Sequence, residues 1–544
     1  MLPGLMMDQP LTITAILRHA IKFHPTAGIV SRKVDGSIHR YSYADFGRRV
    51  HQLANALVKM GVKEGDRVGT LAWNGFRHLE IYYAVSCIGA VCHTMNPRLF
   101  HEQLAYIANH AEDTHLFFDL TFTGLVEKLS EEFTTVRGYI ALCDADELPD
   151  SSIEELRAYE DLLAGEPESF DWPELDERSA SALCYTSGTT GNPKGVLYNH
   201  RSTIIHGLAV SGGDWLSIRS RDAVLPVVPM FHANAWGIPY AALMNGARLV
   251  LPGHAMDGAS LTELLEGEGV TLMAGVPTVW LELLRHLRET GKRLDKVERM
   301  MVGGSAAPLA MVRAFEEEHD VRVVHGWGMT ELSPVGTLGA LKGDEVDLPA
   351  EERYAIQCYQ GRPLFGVDLR LVDEDGTILP HDGESVGVLQ VRGPWVAAGY
   401  YKGDAPDQFT ADGWFSTGDL AAIDERGYLR ITDRTKDVIK SGGEWISSID
   451  LENIAVGHPD VAEVACIAVP HSKWGERPML CVVPRADAAF DPGSLMAMYE
   501  GHVASWWKPD HIELVESLPY TATGKLSKLT LRQRFAGMRL PTDI

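Results

Sequence analysis

Basic residues are scarce against acidic ones: 49 Lys and Arg face 74 Asp and Glu, a formal net charge of −25. A nucleic-acid binder needs a basic face, so the sequence argues against that class. Cysteine is sparse as well. The seven residues, at 87, 92, 143, 184, 358, 466 and 481, form no C-x-x-C pair and no Cys/His cluster with zinc spacing. An odd, scattered set in apolar surroundings excludes a disulfide scaffold and reads as reduced core cysteines of a cytoplasmic protein. No apolar run approaches a membrane span, and the first eight residues lack the basic and apolar regions of a signal peptide. Internal repeats and low-complexity tracts are absent too.

What is present is a long chain of ordinary globular composition, 544 residues with 45% hydrophobic and 23% charged. That length exceeds one ordinary core, so at least two domains are expected. Amphipathic helix patterns cover residues 11–23 and 43–60. From residue 68 to 324, short apolar runs alternate with helical stretches, which implies parallel sheets flanked by helices. Residues 144–176, acidic and proline-rich, read as a surface connector. From about 366 the apolar period changes to two, with turns such as Asp375-Gly376 and Asp382-Gly383, which reads as an antiparallel β subdomain. A smaller α+β unit follows Asp433. The expected boundaries are 1–433 and 434–544.

The most informative stretch is residues 185–195, Tyr-Thr-Ser-Gly-Thr-Thr-Gly-Asn-Pro-Lys-Gly. Glycine lets backbone amides approach a ligand closely, and successive amides in such a turn form a donor site for phosphate oxygens. Thr186, Ser187, Thr189 and Thr190 add hydroxyls around Gly188 and Gly191, and Lys194 adds a positive charge. A Walker loop would place Lys directly after Gly191 and a hydroxyl after the Lys. Here Asn192 and Pro193 intervene and Gly195 follows, so this is a phosphate-holding loop of another kind.

Further motifs follow in order. Residues 229–237 include His232 and Trp236 just past an apolar run, where open α/β sheets face ligand crevices. On residues alone, His232 is as ready to be a hydrogen-bonded core side chain. Gly303, Gly304, Ser305 and Ala306 follow another strand, and their small size lets a flat ring approach the backbone. Residues 325–331 combine Gly326, Trp327, Gly328 and Met329 in an expected tight loop with Thr330 and Glu331, oxygen donors for a hard cation. Asp419 and Arg434 sit in what read as charged turns. Lys440, Gly442, Gly443 and Glu444 come next, and Lys525 lies near the C-terminus.

Together these segments resemble the adenylate-forming superfamily of acyl-CoA synthetases, luciferase-like enzymes and stand-alone adenylation domains. The resemblance spans almost the whole chain, with the motifs in family order. It implies ATP, Mg²⁺ and coenzyme A, with Thr186 and Glu331 at the metal. Residues 303–308 would line the adenine site and acyl channel, with Trp327, Gly328 and Met329 beside the nucleotide. Asp419 and Arg434 would hold the ribose. His232, Trp236, Gly303, Gly326 and Gly328 would face the acid. Lys436 takes the hinge position of a small mobile domain, residues 440–447 the pantetheine tunnel, and Lys525 the place of the catalytic lysine, acting with Thr330, Glu331 and His232.

Within the superfamily the pattern is most similar to bacterial medium-chain fatty acyl-CoA synthetases, and more narrowly to 3-methylmercaptopropionate-CoA ligases of dimethylsulfoniopropionate breakdown. A general medium-chain ligase and a stand-alone enzyme loading a carrier protein are the alternatives. The expected partners are a small carboxylic acid, ATP and CoA, with no nucleic acid and no membrane span, and a homodimer is allowed for.

Overall fold

Strand and helix alternate through most of the chain and build two large sheets. The computed structural model describes residue 2 and residues 4–186, 192–213, 215–485, 489–520 and 526–543. The chain divides into two units. One holds most of residues 1–368 together with Arg392–Phe409; the other holds Leu369–Val391 and the chain from Thr410 onward.

In the first unit, a nine-stranded sheet runs in the order Arg362–Pro363, Val335–Leu338, Arg322–Gly328, Arg299–Val302, Leu272–Gly275, Ala223–Pro226, Arg248–Leu251, Gly28–Arg32 and Ile38–Ser42. The six strands from Arg322–Gly328 through Gly28–Arg32 are parallel, and both margins turn antiparallel. The second sheet has seven strands, parallel from Arg157–Ala158 to Ala180–Tyr185, with Gly195–Asn199 as an antiparallel edge. Crossover helices place strand C-terminal ends on one margin of each sheet, where α/β folds bind ligands.

The helix Tyr43–Lys59 shows why these elements form. Ser42 and Asp45 make a reciprocal capping box at its start. Phe46, Val50, Leu53 and Leu57 then recur at helical spacing, all fully buried, each contributing roughly 1.5–3 kcal/mol. Leu53→Asp would bury a charge in that face and break it. Under the nine-stranded sheet, Met273, Trp280, Leu283, Met300 and Phe315 belong to one buried cluster.

The stretch 144–176 is not simply a connector. It carries the strand Arg157–Ala158 and the helix Tyr159–Leu163. Glu80, wholly buried, accepts from Tyr159 Oη at 2.7 Å and from Arg49 at 2.8 Å, and Arg49 and Arg77 also reach Glu160. A buried carboxylate needs such partners, and they draw this acidic segment into the fold.

In the second unit, Asp368–Val372, Gly387–Arg392, Phe415–Ile423 and Leu429–Arg434 form a four-stranded sheet, antiparallel across its last three strands. A five-stranded sheet follows, built on the long hairpin Val461–His471 and Gly475–Pro484 and covered by the helix Ser448–Val456. The architecture is thus α/β with parallel sheets, an antiparallel β portion and a C-terminal α+β portion.

Candidate active site

The strand Ala180–Tyr185 leads into residues 187–191, and Gly195–Asn199 leads out. Ser187, Gly188, Thr189, Thr190 and Gly191 lie outside the described residues, as does Lys525. The base of the turn is described. Thr186 N donates to the Lys194 carbonyl at 2.9 Å, and Lys194 N donates to Thr186 Oγ1 at 3.2 Å. These bonds close the turn and set Lys194 at its exit. The Lys194 ammonium donates to Gln408 Oε1 at 3.0 Å and lies 5.0 Å from the centroid of the Tyr400 ring.

Glu331 is bonded to the hydroxyl of that same tyrosine. Tyr400 Oη donates to Glu331 Oε1 at 2.5 Å, and Ala397 N donates to the Glu331 carbonyl at 2.7 Å. Burial first, then the Glu331 charge, pushes the Tyr400 phenol far above its ordinary value, so it stays a donor. Tyr198 Oη donates to the Thr330 carbonyl at 2.6 Å. Tyr198, Tyr400 and Ala397 were not singled out by sequence motif. The sequence signal for Tyr400 is an aromatic pair between two glycines, Gly399-Tyr-Tyr-Lys-Gly403.

The expected tight loop at 325–331 is corrected. Residues through Gly328 continue the strand Arg322–Gly328, and Thr330–Leu332 form a 3₁₀ turn. A Cβ on Gly328 would fall 2.0 Å from the Pro334 carbonyl oxygen, and one on Gly326 2.7 Å from Leu338. Strand-to-strand packing therefore accounts for both glycines. Trp327 is half-buried, His325 bridges toward the Ser305 and Cys358 carbonyls, and Gly304, Ser305 and Ala306 are exposed.

Three residues distant in sequence, all expected to face the acid, converge. A Cβ on Gly303 would lie 3.0 Å from Trp236 Cη2 and 3.3 Å from the Gly326 carbonyl oxygen. The Trp236 indole, 7% exposed, therefore lies across Gly303. It is presented by an unusual backbone: Ala233, Asn234, Ala235 and Trp236 have φ of 42°, 51°, 49° and 57°, one left-handed turn. Such residues cost roughly 1–2 kcal/mol each, and strain of this kind clusters at ligand sites. Asn74 pins the approach to this turn. Its side chain donates to the Pro226 and Val228 carbonyls, both at 2.8 Å, and accepts from Met230 N at 2.6 Å. His232 caps the turn at partial burial.

In the second unit, Asp419 and Arg434 are not in turns. They are direct cross-strand partners, joined by Arg434 Nε to Asp419 Oδ1 at 3.1 Å. Asp419 is 3% exposed. Lys436 follows two residues later and is exposed. Gly442 and Gly443, with φ of 62° and 91°, make the two-residue turn of a hairpin between Ile439–Ser441 and Glu444–Ile446. The Lys440 ammonium is 3.3 Å from Glu374.

A metal is testable on these donors. No three His, Cys, Asp or Glu side chains gather at one point among the described residues. Mg²⁺ needs no such cluster, because it keeps water and takes phosphate oxygens beside one or two protein ligands. The buried Glu331 carboxylate and the Thr186 hydroxyl are hard oxygens of that kind, and they fit. A cavity of about 170 Å³ elsewhere in the first unit, lined by Arg32, Lys33, Trp73, Asn74, Arg77 and Asp119, contains none of the expected site residues.

Comparison with known proteins gives consistent matches. Residues 17–401 match the AMP-binding enzyme family, and residues 450–525 the AMP-binding enzyme C-terminal domain. A 3-methylmercaptopropionyl-CoA ligase of Ruegeria lacuscaerulensis is 48% identical over 98% of each chain. A medium-chain-fatty-acid–CoA ligase of Ectopseudomonas oleovorans is 46% identical over 99% of this chain and 98% of that one. A solved anthranilate CoA ligase holding anthranoyl-AMP shares the fold, with a TM-score of 0.86 at 22% identity over 97% of this chain and 98% of that one.

Proposed function

The chain belongs to the AMP-binding enzyme family and is an acyl-CoA ligase that works through an acyl-adenylate; we propose that its acid is short or medium in length, and specifically 3-methylmercaptopropionate. The observation that carries the length is the Trp236 indole lying across Gly303, which gives the acyl channel a rigid wall. The specific acid is supported by the similarity to the Ruegeria enzyme. A general medium-chain ligase is the second reading, favoured by the Ectopseudomonas relative.

A carboxylic acid is ionised at neutral pH, so its attack on the ATP α-phosphate needs no general base. It needs alignment and charge neutralisation, which dominate phosphoryl-type transfer. The 185–195 turn, with Thr186 and Lys194, holds the departing pyrophosphate. Asp419 and Arg434 hold the ribose, Trp327 and residues 304–306 the adenine. Glu331 and Thr186 would hold Mg²⁺, which would supply charge neutralisation at the phosphates. Lys525 lies at the α-phosphate during the first half-reaction. Rotation about Lys436 then withdraws it and brings residues 440–444 to the CoA thiol, which attacks the mixed anhydride and releases AMP. This places the domain boundary at 433/434. No helix among the described residues is long and apolar enough to cross a membrane, and the proposed setting is the cytoplasm, with a homodimer as the proposed assembly.

The test is AMP release with ATP and Mg²⁺ across an acid panel from propionate to palmitate, including 3-methylmercaptopropionate, with and without CoA. The highest kcat/KM should fall on 3-methylmercaptopropionate and depend on CoA. An optimum at C8 would support the medium-chain reading, and one at C16 would contradict the proposed channel.

A further inference from the structure

One phenol touches both the Lys194 ammonium and the buried carboxylate of the 330–331 turn. Tyr400 is 7% exposed, with the Phe409 ring edge-on at 5.5 Å. Its hydroxyl donates to Glu331 Oε1, and its ring underlies the Lys194 ammonium. The segment carrying it is tied to the 330–333 turn twice more, by Ala397 N to the Glu331 carbonyl and by Ser333 Oγ to the Trp395 carbonyl. Tyr401, the next residue, lies against Gly195, whose Cβ would be 3.1 Å from Tyr401 Cβ. The strap 395–409 therefore touches both the exit of the anion turn and the carboxylate turn.

Lys194 and Glu331 carry opposite charges and share Tyr400 as a neighbour; an ion pair between them would offer less to phosphate and metal. Among the described residues Lys194 makes no ion pair; its partners are the Gln408 amide oxygen and the Tyr400 ring. A ring face holds an ammonium without neutralising it. A phenol hydrogen bond fixes a carboxylate's plane while leaving its charge in place.

We propose that Tyr400 is a positioning residue for adenylate formation, holding the Lys194 ammonium with its ring and the Glu331 carboxylate with its hydroxyl. This rests on the roles assigned above to Lys194 and Glu331. It adds a residue that touches neither phosphate nor acid and acts through both. The hydroxyl acts on Glu331, hence on the metal; the ring acts on Lys194, hence on the triphosphate. The two effects are separable.

The test uses the full-length enzyme with Tyr400→Phe, Tyr400→Leu, Glu331→Gln and the Tyr400→Phe/Glu331→Gln pair. Pyrophosphate exchange is followed against Mg²⁺ and against ATP. Mn²⁺ binding with ATP, without acid, is followed by electron paramagnetic resonance, and melting is followed by circular dichroism. Tyr400→Phe should raise the Mg²⁺ needed for half-maximal exchange about ten- to a hundredfold, the scale of one hydrogen bond to a charged group. It should weaken Mn²⁺ binding alike and leave the KM for ATP near wild type. Tyr400→Leu should add a rise in the KM for ATP. In the Glu331→Gln background, Tyr400→Phe should have little further effect. Unchanged metal dependence in Tyr400→Phe, or losses that track melting temperature alone, would overturn the proposal while the ligase reading stands. A wild-type enzyme that exchanges pyrophosphate with no acid would remove both.

Discussion

Tyr198, in the strand Gly195–Asn199, donates its hydroxyl to the Thr330 carbonyl at 2.6 Å. The bond joins the edge of the seven-stranded sheet to the 3₁₀ turn that carries Glu331, two regions separated by 132 residues. Tyr198→Phe leaves that carbonyl unsatisfied, worth about 1–3 kcal/mol. Stability to urea should fall by about that amount, and adenylate formation about tenfold, while thioester formation from supplied acyl-adenylate changes little. Equal loss in both half-reactions would make the bond merely structural.

Trp236→Ala removes the indole from Gly303. The ratio of kcat/KM for C10 over C4 acids should rise by about tenfold or more, the scale of a methylene discrimination repeated along a channel. Competition kinetics on mixed acids measures the ratio directly, and a flat profile would take Trp236 out of the channel wall.

Ala235 is wholly buried and left-handed, φ 49°. Replacing it with Gly relieves about 1–2 kcal/mol of strain, against about 0.8 kcal/mol for the lost methyl and about 0.5–1 kcal/mol of added chain entropy. The net change should be within about 0.5 kcal/mol of zero. Ala241→Gly, equally buried but in the right-handed helix Ile238–Asn245, should cost about 1.5–2 kcal/mol. Urea unfolding of the pair tests whether the left-handed turn persists in solution.

Lys525→Ala should abolish adenylate formation, by about a thousandfold, a scale seen when charge at a reacting centre is removed. Thioester formation from supplied acyl-adenylate should be largely kept. Single-turnover assays of each half-reaction check this.

Burial drives the His206 imidazole down to about 3, against about 6.5 in the unfolded chain. The unfolded state therefore takes up this proton first as pH falls. Its contribution is intact above pH 6.5 and is lost at about 1.4 kcal/mol per pH unit from there toward pH 3. His206→Asn should flatten the acid limb of stability by about one proton, whatever its effect at pH 8. Denaturant midpoints between pH 8 and pH 5 give the difference in slope.

Much of the fold was legible because burial imposes period. The run 248–251 matches the strand Arg248–Leu251, and the helix expected at 43–60 is Tyr43–Lys59. The strand Gly28–Arg32 and the edge strand Ile38–Ser42 escape the sequence reading, since their apolar runs are short and broken by Arg32, Arg40 and His39. In the candidate site, residues such as Glu331, Asp419 and Trp236 are proposed because they fall in segments that resemble family motifs. Residues that act through a single long-range bond cannot be found that way. Tyr198 and Asn74 have no local signature, because what defines them is a partner far along the chain.

Asn74 has a consequence for biogenesis. It clamps the segment from Pro226 to Met230 from a position 152 to 156 residues earlier in the chain. During synthesis its amide waits, without those partners, until well over two hundred residues have emerged from the ribosome. An N-terminal fragment ending before residue 223 would hold only Gly28–Arg32 and Ile38–Ser42 of the nine-stranded sheet, and these strands and Asn74, left without partners, should make it a client for chaperones and an early target for proteolysis.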